Sequence, residues 1–521
     1  MAQNGISLAA ARGNLLTFCI SGYLPLAELC RPLYIVPMAS GLTGDGVAQV
    51  GQWYRLYSVN DARALFGGGS VAVQMANQHF CTCPELPLFI APLPEPTSGV
   101  AAVHTLTISG PATGSGVLSL AVLDQPFAIG VIVGSTAASI ATALAAAFNA
   151  NADFPFTAAV GTTAPDDAVI TLTAKTKGPA GNWLVPVFNP NFGDRLPDGV
   201  TVTQAQTTQG VGVIDPSAVV PVMACAWDCI ALGTEDDVVV ETFLQLVRQN
   251  WACGVQGDFR DGHLFHSKTN SAGQIAAYGM TRNNPEECII PVRTGYKYPG
   301  YLLAAAAASR VCCGACTDPA RPVQYDNGIL GCLFDSMMCA SLWAPEEKRA
   351  FYDSGILNWD VLNSRGVRQT SLTIEEPLTS YKYDPNTGAP DGAWQRVESR
   401  YTTAYFVRAL GNWYRRNYSS VALVNDGTPI PQGRRAISPR QLQASILAWL
   451  RTTQLGITMD ADPGQIEKMV QVQRTNTPDN CDPNRVNVLI DLDLVNQLAR
   501  IATSIDVSPE FACIPPTLTT V

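Results

Sequence analysis

Charge is what this chain of 521 residues has least of. Asp, Glu, Lys and Arg make up 15% of it, against about 25% in an ordinary globular chain. The apolar share is a normal 47%, enough to bury a large core. The missing charge is therefore missing from the surface, which suits a subunit covered by neighbours, because interface cores are depleted of charge. Disorder is excluded, since it requires low hydrophobicity and high charge. No basic excess exists: the net charge is −10 with no basic block, which argues against nucleic acid as a partner. No apolar run approaches the roughly 18 residues of a membrane span; the longest lie around Tyr301–Ser309 and Val219–Gly233, and Asp228 breaks the second. The first 20 residues carry one Arg and no clean apolar centre, so no secretory signal is expected.

Histidine is scarce too, with four in the chain: His79, His104, His263 and His266. A hydrolase needs a nucleophile, a base and an orienting acid, and the chain has no G-x-S-x-G elbow. His104 falls in an alternating segment that reads as a surface strand. His263 and His266, three apart in Asp261-Gly-His-Leu-Phe-His266, read as one helix face or a turn, without the H-E-x-x-H spacing of a metalloprotease. Gly67-Gly68-Gly69-Ser70 precedes a helix, and helix N-termini bind anions. It lacks the Walker lysine and reads as a tight glycine turn. The carboxylates Asp236, Asp237, Glu346 and Glu347 are explained by helix starts. The 15 cysteines are odd in number and irregularly spaced in a long chain, so no disulfide framework is expected. Cys312-Cys313-Gly-Ala-Cys316 contains a C-x-x-C, but zinc would need a second pair or nearby histidines; the cluster reads as small buried thiols. No catalytic residue, metal or cofactor is expected.

What is present is a sequence of differently patterned stretches. The first 30 residues are weakly patterned and read as an arm. Pro32–Met38 reads as a buried strand, Asn60 and Asp61 as caps of a short helix ending at Gly67, Ser70 to Phe80 as a second helix, and residues 86–91 as a strand. Strand, helix, strand begins an open α/β layer. Proline and glycine then cluster at Pro92–Gly99, as at a linker. Residues 100–210, rich in Thr, Ala, Val and Gly, read as a mainly-β module with one helix over Thr136–Ala150, capped by Ser135, and have the look of an insertion. The α/β pattern resumes with a strand at Ala218–Cys225 and a helix started by Thr234 and Asp237. A helix at Ala272–Arg282, a strand at Glu287–Arg293 and an Ala-rich helix at Gly300–Val311 follow. Further on, Gly366–Glu376 and Leu378–Tyr383 read as a hairpin or ribbon. Phe406, Leu410 and Trp413 share a helix face, and Ser438-Pro439 caps a helix with Leu442, Ile446 and Trp449 as its buried stripe. Arg485–Ile490 and Ile501–Val507 read as short strands that are marginal alone and invite pairing with another sheet by strand addition.

The order of these features resembles the contractile tail sheath proteins of bacteriophages, in their Mu-like branch. The resemblance rests on Tyr57-Ser-Val-Asn-Asp-Ala-Arg-Ala-Leu-Phe-Gly-Gly-Gly-Ser70, on Leu106-Thr-Ile-Ser-Gly-Pro-Ala-Thr113 and Ile170-Thr-Leu-Thr-Ala-Lys-Thr-Lys-Gly-Pro-Ala-Gly-Asn182 of the inserted module, and on Asp482-Pro-Asn-Arg-Val-Asn-Val-Leu-Ile490 with Asp493-Leu-Val-Asn-Gln-Leu498 near the end. It covers most of the chain and implies a multidomain α/β protein. The expected parts are an N-terminal arm (1–30), a subtilisin-like open α/β core sheet in two parts (31–95 and 215–355), an inserted mainly-β protrusion (100–210), an α+β C-terminal domain with arm strands (356–508) and a tail (509–521).

The resemblance also implies a non-enzymatic homo-oligomer that stacks helically as hexameric rings around a tail tube protein. Baseplate and tail terminator proteins would be its other partners, and it would be assembled in the host cytoplasm into the virion tail. The subunit contacts it implies are Leu24, Leu26 and Leu29 in the N-terminal arm and Arg485, Val486, Val488, Ile490, Ile501, Ile505 and Val507 in the C-terminal strands. The rival readings are the sheath of a phage-tail-like bacteriocin or injection device and a hydrolase on a subtilisin-like core using His263 or His266.

Overall fold

A computed structural model describes residues 32–37, 48–123, 125–190, 193–224, 227–251, 262–324, 328–335, 342–361, 370–462, 464–474 and 484–498. Its centre is a six-stranded sheet in the order Glu287–Arg293, His263–Asn270, Cys229–Leu232, Pro32–Pro37, Leu88–Leu93, Tyr54–Leu56. Five strands run parallel, and Tyr54–Leu56 closes one edge antiparallel. Successive residues of a strand face opposite sides, and here both sides are apolar. Tyr34, Val36, Leu88, Ile90, Cys229, Ala231 and Phe265 enter one core; Ile35, Phe89, Ala91, Leu93, Ile230, Leu232 and Leu264 enter another. That is what a parallel sheet covered on both faces requires. The first face carries helices Val71–Thr82 and Gly300–Thr317, and the second carries Asp237–Trp251. Ala304 through Ala308 are all buried, and their methyl side chains let the long helix lie close to the sheet. Cys81 at the end of Val71–Thr82 is disulfide-bonded to Cys332 in strand Ile329–Asp335, so one cross-link exists where none was expected. The pairing joins residues too distant in sequence for spacing to suggest it.

Residues 97–213 build a separate apolar cluster. Strands Thr201–Thr208, Thr97–Ser109, Val169–Lys177 and Phe156–Val160 form one antiparallel sheet, and Gln125–Val131, Gly116–Val122 and Val187–Phe188 another. Helix Ala137–Ala150 packs Ile140, Leu144 and Phe148 into their shared interior. Phe148 stacks on Phe154 at 4.6 Å, with the Phe127 ring edge-on to both. This cluster meets the central sheet's layer at the glycine turn. A Cβ on Gly68 would stand 2.4 Å from the Ala152 carbonyl oxygen, and one on Gly69 2.4 Å from that of Phe154. Arg63 grips Asp153 through Nε at 2.9 Å and Nη2 at 2.5 Å, while Lys175 Nζ donates to the carbonyls of Gly68 and Ala152. Gly68 and Gly69 are thus a seat for the 152–154 turn, as a tight glycine turn would provide.

Beyond the central sheet, Ile329–Asp335, Thr370–Glu376 and Asn358–Val361 form a three-stranded antiparallel sheet around the buried rings of Trp343 and Trp359. Helix Val397–Tyr418 starts inside the central core, with Val397 and Tyr401. It ends in a fourth cluster, where Phe406, Val407 and Leu410 meet Leu442, Ile446 and Trp449 of helix Pro439–Trp449. The cap at Ser438 is as expected: its side chain accepts from Gln441 N, with Pro439 at the first helical position.

Several local expectations are corrected. Of the expected strand Ala218–Cys225, residues 218–224 belong instead to a 3-10 helix, Ser217–Ala224, containing Pro221, while Cys225 lies outside the described residues; the strand is Cys229–Leu232. A short apolar run carries no period that separates the two. Leu378–Tyr383 does not pair with Thr370–Glu376, whose neighbours are the strands at 329–335 and 358–361. The caps shift by a residue or two: Ser58, not Asn60, starts helix Val59–Phe66, with Asp61 completing the capping box, and Thr136, not Ser135, starts Ala137–Ala150.

The junction makes a test. Gly68→Ala should destabilise the protein by about 1–3 kcal/mol, the usual cost of overpacking, in urea unfolding. It should also speed limited proteolysis at the 92–99 segment, because the 152–154 turn must back away from its seat.

Candidate functional site

All four histidines are buried, and each is held by local packing. His79 contacts Ser309 Oγ at 2.8 Å through Nδ1 and the Leu86 carbonyl at 2.9 Å through Nε2. Ser309 in turn shares a hydrogen bond with the Tyr34 hydroxyl. The series resembles a serine–histidine relay, but His79, Ser309 and Tyr34 are each 0% exposed, so no substrate reaches them. Burial holds His79 down at about 4, against the pull of the Leu86 carbonyl. His104 is not on a surface strand: it is buried, with Nε2 3.2 Å from the Gly181 carbonyl and its ring edge-on to Phe156. His263 and His266 lie neither on a helix nor in a turn; both are in the central strand His263–Asn270. His263 stacks on Tyr401 at 4.7 Å, and burial, aided by Arg400, pushes it well below its usual range.

His266 belongs to a buried charged cluster. Its Nε2 is 3.0 Å from Glu287 Oε1, Arg282 Nε is 3.5 Å from the same oxygen, and Asn284 Nδ2 and Ser380 Oγ donate to Oε2 at 2.7 and 2.8 Å. Burial opposes ionisation of Glu287, but His266, Arg282 and Asn284 together outweigh it and hold the carboxyl down at about 2. Lys382 Nζ caps the neighbouring carbonyls of Gly279, Arg282, Ser354 and Ser380. Ser267, adjacent to His266, gives its hydroxyl to Glu235. The cluster ties elements together and presents no open face to a reactant.

A strand edge with no neighbour among the described residues lies at the C-terminal end. Strand Val486–Ile490 pairs antiparallel with Val470–Arg474, Val488 opposite Val472. Asp491 N donates to Met469 O at 2.8 Å, which fixes the phase of the ladder: Asn487 and Leu489 turn their N–H groups inward. Because hydrogen-bonded and non-bonded pairs alternate, Val486, Val488 and Ile490 turn theirs to the opposite edge. Among the described residues no strand occupies that edge. Arg485 precedes the strand and donates from Nε to Asn487 Oδ1 at 2.9 Å. Leu24, Leu26, Leu29, Ile501, Ile505 and Val507 lie outside the described residues. A groove of about 1010 Å³ opens between the two C-terminal helices, lined by Tyr405, Trp413, Tyr418 and Trp449 among others. The phase of the edge was not readable from sequence, since it depends on which strand Val486–Ile490 joins.

Comparison with known proteins agrees with the resemblance drawn from the motifs. No protein-family model matches the chain. The Mu-like prophage FluMu tail sheath protein of Haemophilus influenzae is 28% identical over 476 residues, which are 91% of this chain and 92% of that protein. The sheath tail protein of Desulfitobacterium hafniense, a solved structure, aligns with 87% of this chain and 92% of its own, with a TM-score of 0.41 and 11% identity. The chain is thus similar along almost its whole length to a Mu-like phage tail sheath protein, which supports a structural sheath role. Among the described residues no helix is long and apolar enough to cross a membrane.

The charged cluster sets a prediction about stability. Because Glu287 is held at about 2, below the roughly 4.3 of an unfolded Glu, it adds stability above that unfolded value. The contribution is lost as pH falls toward 2. Glu287→Gln should cost about 3–5 kcal/mol at neutral pH, as removal of one buried ionic partner does, and should flatten the acid limb of the stability curve measured by urea unfolding between about pH 5 and pH 2.

Proposed function

We propose that this chain is the subunit of a contractile phage tail sheath, polymerising helically as stacked hexameric rings around a tail tube and contracting to drive the tube through the host envelope. The observation that carries the reading is the extent of the similarity: it spans 91% of the chain and 92% of the sheath protein from H. influenzae, leaving little sequence for another activity. The low charge and the open N–H edge of Val486–Ile490 agree with a subunit that is covered on assembly.

In this reading residues 31–95 and 215–355 are the two parts of the core domain, with the subtilisin-like topology of the family. Residues 100–210 protrude outward, and 356–508 form the C-terminal domain that ends in interlocking strands. Leu24, Leu26 and Leu29 of the 1–30 arm, with Arg485, Val486, Val488, Ile490, Ile501, Ile505 and Val507, join neighbouring subunits by strand addition. Backbone hydrogen bonds between subunits survive a hinge motion, so the mesh stays continuous while core surfaces repack between two states. The driving energy is differential packing of subunits, and no residue here is assigned a catalytic role. Tail tube, baseplate and tail terminator proteins are the partners, and the sheath is assembled in the host cytoplasm.

Negative-stain electron microscopy of the purified protein, with and without tail tubes, tests the reading: striated tubes or stacked rings are expected, and compact monomers in both samples would overturn it. The edge geometry sharpens a second test. Proline at position 488 removes an N–H that the internal ladder does not use, a position where a strand tolerates it. Val488→Pro should therefore leave the monomer's circular dichroism and melting unchanged while abolishing tubes; normal tubes would refute the strand-addition assignment. Deleting residues 100–210 should leave polymerisation intact.

A further inference from the structure

The C-x-x-C of the Ala-rich helix is not alone in space. Cys313 and Cys316 are one turn apart near the C-terminal end of helix Gly300–Thr317, so they share a face. That helix packs on Val71–Thr82, whose chain leaves through Cys83, its C-cap. Cys83 is fixed there by its N–H donating to His79 O at 2.7 Å, and the turn continues with Leu86 N bonding back to Cys83 O. The turn carries Glu85, whose Oε2 is 3.7 Å from Cys83 Sγ. The Sγ of Cys83, a carboxylate oxygen of Glu85 and the Sγ of Cys313 all lie within 4.8 Å of one another, and the sulfurs of Cys83 and Cys313 are in hydrogen-bond contact. Cys316 is close enough to interact electrostatically with both. None of these three cysteines is disulfide-bonded.

We infer that Cys83, Cys313, Cys316 and Glu85 form a structural zinc site that clamps the end of helix Val71–Thr82 to the end of helix Gly300–Thr317. Zinc bonds to sulfur at about 2.3 Å and to carboxylate oxygen at about 2.0–2.2 Å in a tetrahedron, so ligand atoms on one ion stand under about 4 Å apart. Cys83, Glu85 and Cys313, already within 4.8 Å of one another, need only side-chain rotation to reach it, and Cys316, one turn beyond Cys313 on the same helix face, is the proposed fourth ligand. Thiolates select zinc or copper(I), and the carboxylate favours the divalent ion. Cys83 and Cys313 lie on the inner side and Glu85 at the surface, which gives the ion an entry path. Four protein ligands close the coordination sphere, as in structural and not catalytic sites. The second half of the ligand set was invisible in the sequence because it comes from a helix end far upstream.

The test is metal analysis of the full-length protein, expressed with added zinc and purified under reducing conditions without chelator. About one zinc per chain is expected, and cobalt(II) added to the metal-stripped protein should give thiolate-to-cobalt charge-transfer absorption. Cys313→Ser and Cys83→Ser should abolish both signals. Glu85→Ala, at an exposed position that does not threaten folding, should weaken cobalt affinity by at least about 10-fold, while Cys288→Ser, in the central sheet, should change neither. Well-folded protein with no zinc and no charge-transfer band would overturn the site. So would metal that persists in Cys313→Ser, or a Cys83–Cys313 disulfide found by peptide mapping of the reduced preparation.

Discussion

Glu287 is a carboxylate with 0% exposure on the outermost parallel strand of the central sheet, and groups from three stretches of chain converge on it. His266 comes from the neighbouring strand, Arg282 and Asn284 from the turn that follows helix Ala272–Met280, and Ser380 from the chain beyond the small sheet. A buried charge is tolerable only when every partner is in place, so these stretches must be positioned together. The same strand has its outer edge occupied: Ser380 N donates to Glu287 O, Leu357 N to Ile289 O and Trp359 Nε1 to Pro291 O. An edge closed in this way does not recruit strands from other chains. The edge of Val486–Ile490, by contrast, has no strand beside it among the described residues.

The apolar interior is divided among several cores, and the links between them are of different kinds. The cluster of residues 97–213 rests on the central layer through glycine backbone, the Arg63–Asp153 pair, Lys175 and the side chains of Ala180 and Leu123, which pack against the central core. The C-terminal cluster is joined by continuous helix, because Val397–Tyr418 has its first turns in the central core and its last in the C-terminal one. The first link is a seat and the second is a shaft. The C-terminal link is made of continuous helical hydrogen bonds, whereas the seat is made of side-chain and packing contacts. For a subunit proposed to move within a mesh, that difference separates what must transmit load from what can be carried along.

Much of this could be read from the residues, and the failures have physical causes. Long periodic helices were legible with their stripes, as at Ile140, Leu144 and Phe148 or at Leu442, Ile446 and Trp449, and so was the strand Glu287–Arg293. The 217–224 segment fits a strand in sequence because the apolar residues on either side of Pro221 suit strand and 3-10 helix alike. His263 and His266 were misplaced because a strand buried on both faces has no alternation to reveal it, and two histidines disguise its apolar character. The buried cluster of Glu287 could not be anticipated, since its members are brought together only by the sheet order. The ligand set at Cys83 and Cys313 was hidden for the same reason.

The bond between Cys81 and Cys332 spans 251 positions, and everything between residues 97 and 213 falls inside the loop it closes. The chain is therefore a covalent ring with two tails. A single peptide-bond break anywhere in the ring, including anywhere in the 97–213 cluster, opens the ring without producing two molecules. The fragments stay tethered at the C-terminal end of helix Val71–Thr82, so a nicked subunit keeps its parts at high local concentration.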